Sequence, residues 1–206
     1  MQSAAAFSSS RAPTRPRRAH NRLPLVLDQA ARVFAQAGFA AASIRDIVQP
    51  IGMLPGSLYY HFPTKDDLLV AVYEEGVRRI LVELDAALLG VEDPWQRLEA
   101  ACVAHLKQLL NESDYSRVVI RISPADAPAI ARKLVALRDR YERRFARLID
   151  ALPAGGFSAV DARLVILGAM NWTPTWYRRD GGLRPEQLAR RIVRLLRRGM
   201  DRKEVK

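Results

Sequence analysis

The chain has 206 residues, 49% of them hydrophobic, and a formal net charge of +11, so it holds enough apolar material for a substantial core and favours an anionic partner, nucleic acid or a membrane surface. Its single cysteine, Cys102, excludes an internal disulfide and any multi-cysteine metal site, and no apolar run approaches the roughly 20 residues that span a bilayer. The positive charge sits at the ends: residues 1–65 carry eight Lys and Arg against two acids, residues 66–177 carry 14 against 16, and residues 178–206 carry 11 against four.

Residues 1–20 mix Ala, Ser, Pro and Arg without a period and are expected to be a disordered basic arm. Their arginines follow the short apolar patch, whereas a secretory signal places its positive charge first, so a reduced, cytoplasmic setting is expected. Arg11, Arg15, Arg17, Arg18 and Arg22 leave two readings open, a solubilising tail or an arm that tracks phosphates.

From Leu23 to Ala37 the apolar residues Leu23, Leu27, Ala30, Ala31 and Phe34 recur at helical spacing, with Pro24 suited to a first turn. Gly38 then marks a left-handed helix end, with Phe39 folding back. Ser43-Ile44-Arg45-Asp46 is a capping box that opens a short helix with Ile44, Ile47 and Val48 inward. Pro50 stops or kinks that helix near Gln49, and Gly52 supplies a turn. Pro55 opens the next helix, with Leu58 and Phe62 inward and Tyr59, Tyr60 and His61 outward or sideways. Thr64-Lys65-Asp66-Asp67 is a second capping box, starting a long helix to about Leu89 with Leu68, Leu69, Val72, Ile80, Leu84 and Leu88 on its apolar side. Two short helices around a Gly-containing turn form a helix-turn-helix, whose second helix suits the DNA major groove.

Helices are expected from Trp95 to Leu110, from Asp114 to about Ile122 and from Ala129 to Ala151, interrupted at Ser123-Pro124 and Ala127-Pro128. After a loop with Pro153, Gly155 and Gly156, Ser158 and Asp161 cap a helix carrying Leu164, Leu167, Gly168, Trp172 and Trp176, kinked at Pro174. Asp180-Gly181-Gly182 breaks it, and a last helix runs from Pro185 to about Met200. One face of that helix holds Leu188, Ile192, Leu195, Leu196 and Gly199, opposite Arg190, Arg191, Arg194, Arg197 and Arg198. No segment alternates like a strand. The expected architecture is all-α: an arm over 1–20, a three-helix DNA-binding unit over 21–67, and a helical ligand-binding and dimerisation unit over 68–206.

His20, His61 and His105 lack metal-ligand spacing, and no phosphate loop or catalytic constellation is visible, so no cofactor, metal or enzymatic activity is expected. Cys102, flanked by Ala101 and Val103, reads as a buried core thiol. The basic last helix could favour a membrane surface; beside a DNA-reading motif it is read as a dimer helix with a solvated face, and no membrane partner is expected.

Residues 25–72 closely resemble the DNA-binding domain of the tetracycline-repressor (TetR) family. The resemblance covers the A-x-x-x-F-x-x-x-G-F pattern of the first helix, S-I-R-D-I in the second, and the block G-S-L-Y-Y-H-F-P-T-K-D-D-L. It implies a homodimeric bacterial transcription regulator, usually a repressor, that binds a double-stranded operator and leaves it when a small molecule occupies the C-terminal helices. By position, it places DNA contacts at Ser43, Arg45, Pro55, Gly56, Ser57, Tyr59, Tyr60, His61 and Lys65. Leu54 and Pro55 depart from the hydroxylic cap and basic residue frequent there, which removes one positive contact. The segment GAMNWTPTWYRRDGGL resembles a subgroup linked to lipid, fatty-acid or steroid catabolism, several members of which sense acyl-coenzyme A thioesters. Trp95, Tyr115, Tyr141, Phe145, Met170, Trp172 and Trp176 are then candidate apolar walls of an effector site. His105, Arg117, Arg121 and Asn171 are its candidate polar contacts, the arginines suiting an anionic head.

Overall fold

The computed structural model describes residues 22–111, 113–153 and 158–200, and every regular element among them is helical. In chain order these are α1 (Leu23–Ala41), α2 (Ile44–Val48), α3 (Pro55–His61), α4 (Lys65–Ala87), α5 (Pro94–Leu110), α6 (Asp114–Arg121), α7 (Ala131–Asp150), α8 (Ala159–Asn171) and α9 (Pro185–Met200). The expected arm over 1–20 and the Gly155-Gly156 connection lie outside the described residues.

The first three helices form where their end signals stand. Val26, Ala30, Ala31 and Phe34 bury one face of α1. Gly38, at φ 77°, breaks the helix as its position suggests, yet residues 39–41 add one more turn, closed by the Ala42 N–H donating to the Gly38 carbonyl at 3.3 Å. Phe39 meets Phe34 edge-on, with ring centroids 5.7 Å apart. At α2 the Ser43 hydroxyl accepts from the Asp46 N–H at 3.2 Å, and the Asp46 carboxylate accepts from the Ser43 N–H at 3.1 Å. The Ser43 hydroxyl also donates to that carboxylate at 2.7 Å, and this bond first, then the Ser43 N–H, holds the Asp46 carboxyl below its usual range. Pro50 ends α2 at Val48: Gln49–Ile51 tighten into a 3-10 turn, and Gly52 turns the chain in the left-handed region at φ 61°. Pro55 starts α3, with Leu58 fully buried behind it.

Thr64 caps α4 by accepting from the Asp67 N–H at 3.0 Å; the Asp67 carboxylate accepts from the Thr64 hydroxyl, closing the cap on itself. The first residue of α4, Lys65, crosses to the end of α1. Its ammonium donates to the carbonyls of Phe39 at 2.8 Å, Ala42 at 3.0 Å and Ala40 at 3.3 Å, and lies 4.6 Å from the centre of the Phe39 ring. Those carbonyls belong to a helix end and its exit, where the last acceptors lack helical partners. One cation satisfies three of them and welds the start of α4 to the end of α1.

Behind this unit α4 continues for 23 residues, about 34 Å at 1.5 Å per residue. Leu68, Leu69, Val72, Tyr73, Val77, Leu81 and Leu84 are buried, and α4 packs against α1, α5, α6 and α7. One hydrophobic cluster runs unbroken from Val26 to Leu196. α5 packs most extensively on α9, fastened by Arg190–Glu99 and Lys107–Glu186 ion pairs, both 3.1 Å, and by Arg197 over the Trp95 ring.

Three expectations are corrected. The helix expected from Ala129 begins at Ala131, because Pro124 and Pro128 each hold a separate 3-10 turn ahead of it. The helix expected to pass through Trp176 with a kink stops at Asn171, and Pro174 lies in a 3-10 turn, Thr173–Thr175. Proline lacks the N–H and crowds the carbonyl four residues back, while the Thr173 hydroxyl donates to the Ala169 carbonyl at 3.1 Å. On α9 the buried face is Leu188, Ala189, Val193 and Leu196, and Leu195 is 68% exposed.

Replacing Lys65 by Met should keep its aliphatic stem and lose the three charged hydrogen bonds, at a cost of about 2 kcal/mol. Urea denaturation should show this as a lower midpoint with an unchanged slope; a midpoint equal to wild type would mean the cross-bracing carries no stability.

Candidate DNA interface and effector cavity

Leu58 anchors α3, which leaves Gly56, Ser57, Tyr59 and Tyr60 on its outer side. Tyr60 is 86% exposed and stands edge-on to His61, ring centroids 5.3 Å apart. A Cβ built on Gly56 would meet nothing within 4 Å, so the backbone there is open to close approach. Ser43 and Arg45 are exposed on α2 and its cap, and Pro55 and His61 are partly buried. Eight of the nine expected contact residues thus flank or lie on one exposed ridge. Lys65 differs: its ammonium, expected at the DNA, is occupied by the carbonyls at the end of α1. Leu54 was not among the expected contacts. It is 75% exposed at the start of α3, and its only sequence signal was a leucine in a capping position.

A cavity of about 230 Å³ opens among α4, α5, α6, α7 and α8. Val77, Ile80, Leu109, Val119, Ile120, Ile122 and Leu167 give it apolar walls; Tyr73, His105, Gln108, Ser116, Ser123, Arg138, Tyr141, Glu142 and Asn171 supply polar ones. Its organising group is His105, 6% exposed. One ring nitrogen, Nε2, lies 3.1 Å from the Asn171 carbonyl oxygen, and Nδ1 meets the Tyr141 hydroxyl. A carbonyl oxygen only accepts, so Nε2 carries the proton and Nδ1 accepts from the tyrosine. Burial, partly opposed by the Asn171 hydrogen bond, brings the His105 pKa down to about 4, and burial raises that of Tyr141. The His105, Tyr141 and Asn171 part of the wall is therefore polar and uncharged near neutral pH. Arg138 stands 3.8 Å from Glu142, its opposite charge within the same lining.

Of the eleven residues expected at an effector site, His105, Tyr141 and Asn171 meet in this cavity. The other eight are outside its lining. Phe145 is buried edge-on behind His105 and Tyr141, with centroids 5.7 and 5.5 Å away. Met170 is fully buried in the core, and Trp95 lies under Arg197. Tyr115 donates its hydroxyl to Asp28 at 2.9 Å. Arg121 is exposed and Arg117 partly buried, neither on the cavity wall. Trp172, 67% exposed, and Trp176, half exposed, face outward, because the helix that carries Met170 inward ends before them. Arg138 and Glu142 were missed, although Arg138 stands three residues before Tyr141 and four before Glu142, the spacings that make helical neighbours.

His105 makes stability depend on pH. Its folded pKa of about 4 lies below the ordinary 6.5, so the unfolded chain binds the proton first. Its contribution is complete above pH 6.5 and falls with pH toward 4, by on the order of 3 kcal/mol in all. Chemical denaturation from pH 7 to 4.5 should show wild type losing stability more steeply than His105→Gln, by up to about 1.4 kcal/mol per pH unit. Parallel curves would contradict a buried neutral His105.

Comparison with known proteins agrees with this architecture. Residues 26–72 match the family described as bacterial regulatory proteins, tetR family, and residues 91–200 match the tetracyclin repressor-like C-terminal domain. The HTH-type transcriptional repressor KstR2 of Mycobacterium tuberculosis (strain ATCC 25618 / H37Rv) is 28% identical over 192 residues, covering 87% of this chain and 93% of KstR2. The crystal structure of the TetR family regulator PfmR from Thermus thermophilus superposes with a TM-score of 0.64 at 27% identity, covering 86% of this chain and 99% of PfmR. That of AibR in complex with isovaleryl coenzyme A and operator DNA gives 0.70 at 20% identity, covering 84% and 97%, a likeness of fold. With the C-terminal match alone spanning more than half of its length, this chain belongs to the tetracycline-repressor family of DNA-binding transcription regulators.

Proposed function

We propose that the chain acts as a cytoplasmic homodimeric repressor, with residues 21–67 reading a palindromic operator and residues 68–206 pairing the protomers and sensing a small effector. The observation that carries this is α3, a short helix backed by buried Leu58 and crowded outward with Gly56, Ser57, Tyr59 and Tyr60. Tyrosine and serine hydroxyls suit phosphates, while the tyrosine rings and Leu54 suit thymine methyl groups. Ser43, Arg45, Pro55 and His61 flank these, and Lys65 contributes through its hold on α1. The basic arm over 1–20 adds phosphate attraction that α3 itself lacks.

Dimerisation is proposed through α8 and α9. Leu164, Val165, Gly168 and Trp172 share one exposed face of α8, and Leu195 is exposed on α9. Exposed apolar side chains grouped in this way mark an association site. For the effector, the cavity favours an apolar body with an uncharged hydrogen-bonding group, such as a short acyl chain of a coenzyme A thioester with the coenzyme extending outward. On the same fold, AibR holds isovaleryl coenzyme A and operator DNA. A regulator without an effector is the second reading, and the cavity beneath α6 favours the first.

Selection of duplexes from a random-sequence library should enrich an inverted repeat with half-sites about one helical turn apart; no enrichment would contradict the reading. In gel shifts with that duplex, Tyr60→Ala should lose about five- to 150-fold in affinity, as expected for a central contact worth 1–3 kcal/mol, while folding and dimer mass stay unchanged. Short-chain acyl-coenzyme A should release the wild-type complex. Full affinity in Tyr60→Ala would overturn the assignment of α3, and a complex indifferent to every thioester would overturn the effector class.

A further inference from the structure

One cluster of polar contacts serves neither the DNA-reading ridge nor the cavity wall. The Tyr115 hydroxyl, on α6, donates to Asp28 of α1 at 2.9 Å. Arg79 of α4 reaches the same carboxylate at 3.3 Å, is held by Glu75 at 2.7 Å, and lays its guanidinium 4.0 Å from the centre of the Tyr115 ring. Three helices therefore meet at one carboxylate. Glu75, carrying Arg78 and Arg79, is held at a pKa of about 2, the Arg78 hydrogen bond being the largest cause. Burial and the Asp28 contact both keep the Tyr115 hydroxyl protonated, as a donor to Asp28.

The packing beside this cluster is uneven. At Gly76 α4 and α6 touch so closely that an added Cβ would stand 2.7 Å from the Val119 side chain and 3.2 Å from the Tyr115 carbonyl. Either side of that contact there is space. Ser116, Val119 and Ile120 line the 230 Å³ cavity, and Tyr115 and Ser116 line a second cleft of about 210 Å³ against Arg79 and Gly76. Close-packed interiors resist displacement of their elements; α6 packs on α1 and α4 through buried Val118 and is tied to them by the Tyr73 hydroxyl, which donates to the Val119 carbonyl at 3.2 Å, and by the Tyr115 bridge, with open space only to either side of the Gly76 contact.

We infer that Tyr115 is a positioning residue for DNA binding: through Asp28 and Arg79 it sets the angle at which α1, and with it α2 and α3, rests on the helices of the sensing unit. This rests on the reading of α3 as the operator contact. The bridge spans 87 residues of sequence and is the described side-chain hydrogen bond from α6 to α1. Its helix also forms cavity wall, so the support of the DNA reader and the lining of the cavity are one element. Tyr115 touches no DNA in this arrangement; it acts by orienting groups that do.

The test uses the full-length dimer and the duplex that wild type selects from a random library. Tyr115→Phe keeps the ring under Arg79 and removes the hydroxyl; Asp28→Asn, on an exposed position of α1, removes the charge. Each should weaken duplex affinity about fivefold or more, with far-UV circular dichroism and dimer mass unchanged. The double variant should be no weaker than the weaker single variant, because both disable one bridge. A residue that supported only folding would shift the melting temperature and leave the affinity of the folded dimer intact. Wild-type affinity in both single variants, or full additivity in the double variant, overturns the inference and leaves the assignment of α3 standing. A wild-type protein that selects no duplex overturns both.

Discussion

The fold depends on one constraint: α4 is a single unbroken helix that begins beneath the N-terminal helix-turn-helix unit and stays buried among the C-terminal helices. Thr64 caps its start and Lys65 fixes that start to the end of α1. From Leu68 to Leu84 its inner face lies in a cluster that also contains Val26 of α1 and Leu196 of α9. Its one glycine, Gly76, is packed against Val119 and so gives no hinge. A helix of about 34 Å buried at both ends transmits displacement instead of absorbing it. The position of α3 is thereby tied to helices far behind it.

The cavity sits where this tie can be influenced. Val77 and Ile80 of α4 and Val119 and Ile120 of α6 belong to its wall. One stretch of its polar side, beside the Arg138–Glu142 pair, is a chain of neutral donors and acceptors, Tyr141 to His105 to Asn171, in which each proton has a defined place. Such a wall rewards an occupant that brings a matching uncharged group and penalises a buried charge. A ligand shifts a two-state equilibrium only through its different affinity for the two states, and contacts to α4 and α6 are the ones that differ if these helices move. Electrostatics is arranged separately: the positive excess lies toward the two ends of the sequence, while α3 is largely neutral. In the proposed regulator attraction and discrimination therefore come from different parts of the chain.

Much of this was legible in the residues, and the parts that were not share a cause. Ser43, Thr64 and Ser158 mark helix starts by local hydrogen bonds, and Gly52 marks a turn by its own backbone freedom; such signals need no knowledge of the rest of the fold. The outward face of α3 followed from Leu58 for the same reason. The cavity lining depended on which way each helix turned after an interruption. Pro174 was read as a kink, which carried Trp172 and Trp176 toward the interior; it ends the helix, and both rings face outward. Leu195 fits the apolar period of α9, yet contact with α5 selects a face shifted toward Ala189 and Val193. Lys65 was assigned by position to a DNA contact because its three carbonyl partners lie 23 to 26 residues earlier, a distance no local pattern reveals.

The most direct test is the distance between the two DNA readers in the proposed dimer, free of DNA. Cys102 is buried, so a nitroxide attached to Ser57→Cys labels one site per protomer. Pulsed electron spin resonance should give a single narrow distribution centred near one turn of DNA, ~34 Å, because α4 and the bridge through Tyr115 hold each reader at a fixed angle. A distribution tens of ångströms wide, or no distance between protomers, would contradict the claim that the sensing helices set the position of α3.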